Sequence, residues 1–427
     1  MNRLSLNRAA VELPFEEFAH LCELLESSFP QHSINKLSQN NRLKRLWFAE
    51  NWLSTIELLT LANSVRVMSE VDRKWTENHT KKILGKSTNE QIGSVFELNC
   101  ATMLSEANLK VKPGRNNSPG YDLEVVYDDE HRLFLSLKNH DISSFENGFK
   151  MTSESLFSTI NQIFSPTGVP TFVMIDFSQY PEPGVWKCVE DFFCNTRFES
   201  NAGFAQPCPD VSITYNELRP EFGKKFALKP FSSQVIIKAK FHKNEQNNFV
   251  SKLEHAAQNM RDKLGRKQNS TNVVCMRLHP TASVDYLERF ARDILEADKD
   301  SGIDGVIFYQ PSVVRKTDNS SVVSHFFRCI DTSRWNQWKH GVLFRPFIGE
   351  SSNVKSRLIM RGDSKTLLDD VSSYIYQRGE LNYQFEYRTG TQTLSNLAPG
   401  ILSNLTNEEG EVLKGKIFSE QEDLLLI

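Results

Sequence analysis

The stretch between Tyr121 and Asp141, YDLEVVYDDEHRLFLSLKNHD, is the part of the sequence that most restricts the fold of this chain. In both halves every second residue is apolar. These odd-numbered apolar residues are Leu123, Val125 and Tyr127 in the first half and Leu133, Leu135 and Leu137 in the second. Alternation with a period of two is typical of β-strands, and the polar DDEH between the halves is able to reverse the chain. The sequence therefore predicts two antiparallel strands joined as a hairpin.

The register of this hairpin determines which polar side chains face each other. Burial of the odd-numbered apolar residues of both strands in one core requires Asp122 to lie opposite Lys138, because a one-residue slip turns one strand's leucines to the other face. In the same register Glu124 lies opposite Ser136. This pairing requires an odd-numbered loop or a bulge, and it predicts a face with two carboxylates, a serine and a lysine. The alternative is an ordinary hairpin with a solvated polar face.

The whole chain has the composition of a globular protein with two or three domains: 427 residues, 39% hydrophobic and 24% charged. Its net charge of −3 gives no overall attraction to a polyanion, so any nucleic-acid surface must come from local basic clusters. Seven singly scattered cysteines favour a reducing compartment, and we expect a cytoplasmic location. Neither a signal peptide nor a membrane-spanning stretch is indicated.

Three regions are predicted along the chain, all within an α/β fold class. Residues 1–85 have apolar residues at helical spacing and form a helical module, whose basic run RLKR at 42–45 either contacts phosphate or is a solvated face. Residues 86–230 alternate helix, hairpin, helix and strand. Residues 231–427 begin with alternating strands and helices, from SQVIIKAKF to GIDGVIFY, which predict a parallel βαβαβ unit.

A helix is predicted just before the hairpin, and one of its residues is a carboxylate on an apolar face. Ser87 and Glu90 form a possible capping box at its start. The helix neighbours of Glu97 are small or apolar: Gly93, Cys100, Ala101 and Leu104. Glu97 is therefore expected to point towards the protein, where a carboxylate needs a partner. The alternative is a boundary residue whose carboxylate reaches solvent.

Glu97, Asp122 and the tripeptide Ser136-Leu137-Lys138 resemble the PD-(D/E)xK superfamily of restriction-endonuclease-like nucleases. The family pattern is a glutamate on a helix, an aspartate on the second strand and an acid-x-lysine on the third, followed by a helix and a strand. The similarity extends over residues 90–180. It implies a restriction-endonuclease-like mixed-sheet core at 86–230, with an N-terminal helical module and a C-terminal α/β region for target selection or assembly.

The sequence departs from the family pattern at Ser136, where a carboxylate is usual. A serine can hold a water molecule but adds no negative charge to a metal site. Glu124, on the same strand face as Asp122 and predicted to lie opposite Ser136, is a candidate to supply the missing oxygen. The alternative is that Ser136 marks a weakened or inactive site.

The resemblance implies hydrolysis of phosphodiester bonds with Mg²⁺ or Mn²⁺, which activates a water molecule and stabilises the oxyanion. In this chain Asp122 would be the principal metal ligand. Glu97 would bind the metal directly or through water, and the backbone carbonyl of Leu137 would add a ligand. Lys138 would orient the attacking water or offset charge on the phosphate.

The loop PGRNNSPG, just before Asp122, contains three candidates for contact with the nucleic-acid backbone: Arg115, Asn116 and Asn117. Loops rich in Asn and Gly are also common as plain turns. No phosphate loop of the Walker type occurs in the sequence, so no ATP-driven motor is expected in this chain.

The predicted function is a metal-dependent nuclease acting on DNA, and a bacterial restriction or anti-phage role, with protein partners in a defence complex, fits the resemblance. The alternative is a catalytically inactive nuclease-like protein that acts as a nucleic-acid-binding or complex-assembly subunit. Glu124 distinguishes the two hypotheses. Convergence of its carboxylate on Asp122 and Lys138 favours catalysis, and an orientation away from them favours binding.

Overall fold

The structure is a computed structural model that describes residues 14–331, apart from short gaps, and six strands between residues 357 and 416. The gaps lie at 40, 50–51, 86, 115–119, 127–130, 142, 165–170, 199–201, 218–232, 240–241, 265–268, 280–281, 283, 298–301 and 316–320. Arg115, Asn116 and Asn117 therefore lie outside the described residues. No helix in the described ranges is both long and apolar enough to span a membrane.

Six helices precede the first strand in the described part of the chain. They are α1 (Phe15–Ser28), α2 (Gln31–Lys36), α3 (Arg42–Phe48), α4 (Trp52–Val71), α5 (Arg73–Ile83) and α6 (Thr88–Glu106). Side chains cap three of these helices at their N-termini: Asn41 accepts the Lys44 N–H of α3, Asp72 accepts the Trp75 N–H of α5, and Ser87 accepts the Glu90 N–H of α6. The N-cap half of the predicted capping box, the bond accepted by Ser87, is thus confirmed.

Strands and helices alternate through the rest of the described chain. The first group is β1 (Lys110–Pro113), β2 (Leu123–Val126), β3 (Arg132–His140), α7 (Ser144–Phe164), β4 (Thr171–Phe177), α8 (Pro183–Asn195), β5 (Ala202–Cys208), β6 (Val211–Glu217) and β7 (Ser233–Lys238). The second group is α9 (Lys243–Lys263), β8 (Ser270–Leu278), α10 (Val284–Ala297), β9 (Gly305–Arg315), β10 (Ser321–Asp331), β11 (Arg357–Ile359), β12 (Tyr374–Arg378), β13 (Leu381–Glu386), β14 (Thr391–Ser395), β15 (Leu402–Thr406) and β16 (Val412–Lys416).

The first sheet has seven strands in the order β1-β2-β3-β8-β9-β10-β11. Strands β1 to β3 form an antiparallel meander, and β3, β8 and β9 run parallel. Helices cover both faces of this sheet. The odd-numbered leucines of β3, such as Leu135, share one hydrophobic cluster with α1, α4 and α6, whereas Phe134 on the opposite face packs with α9 and α10. The predicted N-terminal helices thus share their core with the sheet that carries the hairpin.

The second sheet has nine strands in the order β15-β16-β12-β13-β14-β7-β4-β6-β5. Helices α7 and α8 pack on it, because Phe157 of α7 and Phe193 of α8 join Ile175 and Ile213 of the sheet in one hydrophobic cluster. The chain leaves the first sheet after β3, returns to it at β8, and leaves it again after β11. Both sheets contain parallel and antiparallel pairs, so the predicted α/β class is confirmed.

Two predictions about strand partners differ from the structure. The helix and strand after the hairpin, α7 and β4, were expected to complete the sheet of the hairpin, but β4 pairs with β6 and β7 in the second sheet. The predicted βαβαβ unit is correct for β8-α10-β9 and wrong for β7, which pairs with β4 and β14. The sheet of the hairpin therefore contains strands from both sides of the predicted boundary at residue 230.

The β2–β3 hairpin is confirmed, but its predicted register is wrong by two residues. Leu123 pairs with Leu135 and Glu124 pairs with Phe134, so Asp122 is level with Ser136 and not with Lys138. The connection at 127–131 is odd-numbered, as expected. A shift of two residues leaves the same side chains on each face, so burial of the leucines fixes the parity of the pairing and not the register itself.

Candidate active site

A cleft of about 590 Å³ opens between α5, α6, the ends of β2 and β3, and α9. Four of the five predicted catalytic residues line it: Glu97, Asp122, Ser136 and Lys138. Five residues of α5, none of them predicted, line it too: Trp75, Asn78, His79, Lys81 and Lys82. The structure thus brings the helix glutamate, the strand aspartate and the lysine to one cavity.

Asp122 lies immediately before β2, where the main-chain pairing with β3 is ending. Its N–H donates to the Leu135 carbonyl at 2.8 Å. Its Oδ2 accepts the Leu137 N–H at 2.6 Å and the weaker Ser136 hydroxyl at 3.5 Å. The carboxylate therefore takes the place of a strand partner for Leu137, which fixes its position at the cleft.

The pKa of Asp122 is raised above its ordinary value. Burial is the largest cause, and the negative charge of Glu97 adds to it, while Lys138 and the Leu137 N–H act in the opposite direction. The negative charge of Glu97 therefore disfavours the ionised form of Asp122. A cation between them would relieve this repulsion.

Lys138 lies beside Asp122, with its Nζ 3.6 Å from Oδ2. The same ammonium donates to the Leu137 carbonyl at 3.2 Å, so the carbonyl that was predicted to bind metal now accepts from Lys138. The side chain of Lys138 is 27% exposed. It is accordingly held at the wall of the cleft and still accessible from it.

Glu97 is only partly buried, and its partner is His79 of α5. Its Oε2 lies 2.7 Å from His79 Nε2. Sequence reasoning missed His79. His79 lies on the buried face of α5 with Thr76 and Ile83. A histidine on such a face needs a polar partner, and this position could have marked His79 as a candidate.

Glu124 does not join this group. Its Oε1 accepts from Arg132 at 3.1 Å and from Lys112 at 3.4 Å, and Lys112 is its direct neighbour on β1. The predicted position opposite Ser136 is wrong, because the two-residue shift places Glu124 opposite Phe134. Its carboxylate is turned away from Asp122 and Lys138, which is the orientation that favours the binding hypothesis.

The oxygen donors at the cleft are few. Among the described residues no group of three or more His, Cys, Asp or Glu side chains is placed to hold a metal ion. Two carboxylates, Asp122 and Glu97, line the cleft, and the Leu137 carbonyl is engaged by Lys138. Mg²⁺ in proteins often keeps several waters and binds through one or two carboxylates plus substrate phosphate. These residues fit an open Mg²⁺ or Mn²⁺ site completed by water and substrate, and not a closed protein cage.

Apart from Lys138, the basic residues at the cleft come from α5. Lys81 and Lys82 are exposed at its wall, and neither forms an ion pair within the residues that the structure describes. In the RLKR run, by contrast, Arg42 pairs with Asp141 at 2.9 Å and Lys44 donates to two backbone carbonyls. Besides Lys138, the basic residues placed to meet a ligand in the cleft are therefore those of α5, and the RLKR run is held by other contacts.

Comparisons with known proteins do not extend this description: no protein-family model, curated protein or solved structure matches the chain. The geometry of the cleft is therefore the basis for inferring a function. The three loop residues predicted to contact nucleic acid lie outside the described residues. Gly114 and Gly120, on either side of that gap, both line the cleft.

Proposed function

We propose that this protein is a metal-dependent nuclease that hydrolyses phosphodiester bonds in the cleft between α5 and the β2–β3 hairpin. The observation that carries the proposal is the convergence of Glu97, Asp122 and Lys138 on one cavity from a helix, a strand end and a neighbouring strand. Two carboxylates with a positioned ammonium are the groups that metal-assisted phosphoryl transfer needs. DNA as substrate and a role in restriction or anti-phage defence stay predictions from the sequence.

The order of elements around the cleft supports the resemblance to PD-(D/E)xK nucleases. Helix α6 is followed by the meander β1-β2-β3, and strand β8 then pairs parallel with β3 after helix α9. This is the family's order of helix, three strands, helix and strand. The last two elements come later in the chain than predicted. The segment from α7 to β7 lies between them, and its strands pair in the second sheet.

A divalent cation bound at this site would supply an activated water and stabilise negative charge on the phosphate. Asp122 and Glu97 provide the carboxylate oxygens for it. Lys138, a compact cation beside Asp122, orients the attacking water or offsets charge on the phosphate oxygens. Lys81 and Lys82 hold the nucleic-acid backbone through its phosphates.

A second candidate function is a nucleic-acid-binding subunit without catalysis. The orientation of Glu124 favours it, because its carboxylate is engaged by Arg132 and Lys112 and adds no second carboxylate beside Asp122. The basic wall of the cleft serves this function equally well. Catalysis is therefore the property that separates the two candidates.

The deciding experiment is a cleavage assay on plasmid, linear and single-stranded DNA and on RNA, with Mg²⁺, Mn²⁺ or EDTA. The wild type should cut with metal and stop with EDTA, whereas Lys138→Ala should lose most activity. Lys187→Ala, an exposed lysine on α8, is the matched control and should cut normally. A wild type that binds nucleic acid, stays inert with both metals and gains cleavage as Ser136→Glu would establish the second candidate.

A further inference from the structure

His79 is fixed on three sides at the wall of the cleft. Its Nδ1 lies 2.9 Å from the Trp75 carbonyl, and its Nε2 lies 2.7 Å from Glu97 Oε2. Its ring packs on the Trp75 indole, with the ring centroids 3.8 Å apart. The residue is 3% exposed. A side chain held in this way has a single orientation, and so does the oxygen that it contacts.

The hydrogen-bond roles follow from the partners. A carbonyl oxygen only accepts, so Nδ1 carries a hydrogen and donates it to Trp75. The short contact between Nε2 and Oε2 also contains a hydrogen, whichever of the two groups carries it. In either case Oε2 of Glu97 is committed to His79. Among the described residues the other oxygen, Oε1, has no hydrogen-bond partner.

We propose that His79 is a positioning residue for a divalent cation at the cleft: by holding Oε2, it presents Oε1 of Glu97 to a cation shared with Asp122. This inference rests on the proposed function. Metal-binding carboxylates are commonly oriented by a hydrogen bond from a neighbouring residue, and loss of such a partner typically costs about 10- to 100-fold in metal affinity. The contrasting possibility is a histidine that only joins α5 to α6 and has no effect on metal affinity.

Two substitutions separate the two hydrogen bonds of the ring. The amide nitrogen of an asparagine lies near the position of Nδ1, so His79→Asn keeps the donor to Trp75 and loses the contact with Glu97. The amide nitrogen of a glutamine lies near the position of Nε2, so His79→Gln keeps the donor to Glu97. Both variants are smaller than histidine, so each is the packing control for the other.

The test measures Mn²⁺ affinity of the full chain by electron paramagnetic resonance and calorimetry, without nucleic acid. We expect His79→Asn to weaken Mn²⁺ binding by about 10- to 100-fold and His79→Gln to stay within about threefold of the wild type. In a Glu97→Gln background, His79→Asn should have no further effect, because residues that act through one another are not additive. Thermal unfolding without metal monitors folding of each variant.

The outcomes distinguish this inference from the proposed function. If the wild type binds Mn²⁺ and cleaves, and His79→Asn binds Mn²⁺ as tightly as the wild type, the role of His79 is overturned. The proposed function then still stands. Equal weakening by His79→Asn and His79→Gln would also overturn the role of His79, because packing would then explain the loss. If His79→Asn fails to fold, His79→Gln and Glu97→Gln decide: a fully retained affinity in Glu97→Gln contradicts the proposal. Wild-type protein that neither binds Mn²⁺ nor cleaves would overturn both.

Discussion

Lys138 and His140 lie two residues apart on the same face of β3, and their side chains enter two polar clusters of opposite character. Lys138 belongs to the cleft with Asp122 and Glu97. His140 is 4% exposed and lies 4.0 Å from the carboxylate of Glu245 on α9. The open cluster, with Lys138, faces a cavity, whereas the closed cluster of His140, Glu245 and Lys252 is largely buried.

The closed cluster uses its charges on internal partners. Lys252 donates to the Asn139 carbonyl at 2.8 Å. Burial, the largest cause in each case, raises the pKa of Glu245 and lowers that of Lys252, as it does for His140. The comparison teaches that charged residues near a strand end form a candidate functional site only where they line a cavity. Elsewhere their contacts stabilise the fold.

The largest expected effect tests the open cluster through Asp122. Asp122→Ala removes the main carboxylate, so metal binding and cleavage should both be lost, and affinity for nucleic acid should rise because carboxylate–phosphate repulsion disappears. Cleavage assays, Mn²⁺ titration and filter binding measure the three quantities. Glu190→Ala, an exposed acid on α8, is the control and should behave as the wild type. Cleavage that survives in Asp122→Ala would remove this residue from the chemistry.

A smaller loss is expected for Lys138→Ala. The variant keeps both carboxylates, so Mn²⁺ affinity should change little, while the cleavage rate should fall by about 10²-fold or more, the usual scale for a positioned catalytic group. Single-turnover assays at saturating metal give the rate. If Mn²⁺ affinity and rate fall together by the same factor, Lys138 supports the fold of the site and does not act in the reaction.

The closed cluster should respond in stability and not in activity, and His140 is its most direct probe. Burial and the nearby Lys252 lower the pKa of His140 to about 3, so the folded state keeps the imidazole neutral where an unfolded chain would protonate it. Its contribution to stability is therefore complete above the unfolded pKa of about 6.5 and is lost as the pH falls towards 3.

Between about pH 7 and pH 5 this loss amounts to about 2 kcal/mol for one such group. His140→Leu should flatten that part of the pH dependence of the free energy of unfolding, measured by urea denaturation, while leaving cleavage at neutral pH unchanged. His131→Leu is the control, because that histidine lies immediately before β3 and not in the closed cluster. An unchanged pH slope in His140→Leu would show that the imidazole is not held neutral.

The sequence predicted the parts of the site that depend on local pattern. Burial of leucines such as Leu135 places Ser136 and Lys138 on one face, and the apolar neighbours of Glu97 turn that carboxylate inwards. The register was not predictable in the same way, because pairings two residues apart bury the same faces. Glu124 was misplaced for that reason.

The other differences between the prediction and the structure depend on contacts between segments that are distant in the sequence. His79 meets Glu97 from a separate helix, 18 residues earlier in the chain, and α5 contains no motif that marks the contact. Strands β4 and β8 have similar apolar character and each follows a helix, so the sequence does not say which of them pairs with β3. That choice is made by packing of the whole fold, since α9 shares a core with Phe134 whereas α7 packs on the second sheet.

The smallest expected effect concerns the basic wall of the cleft. Lys82→Ala removes one phosphate contact and no acid or catalytic group, so nucleic-acid affinity should fall a few-fold, equally for different sequences. The slope of log affinity against log salt, measured between about 50 and 200 mM, should fall by about one unit because one fewer counterion is released. Lys81→Ala should give the same result, and the cleavage rate at saturating nucleic acid should stay at the wild-type level in both. Lys187→Ala on α8 should leave the salt slope unchanged. Equal salt slopes in the wild type and the three variants would show that the nucleic acid does not contact Lys81 or Lys82. The open cluster would then lack the phosphate contacts that distinguish it from the closed cluster.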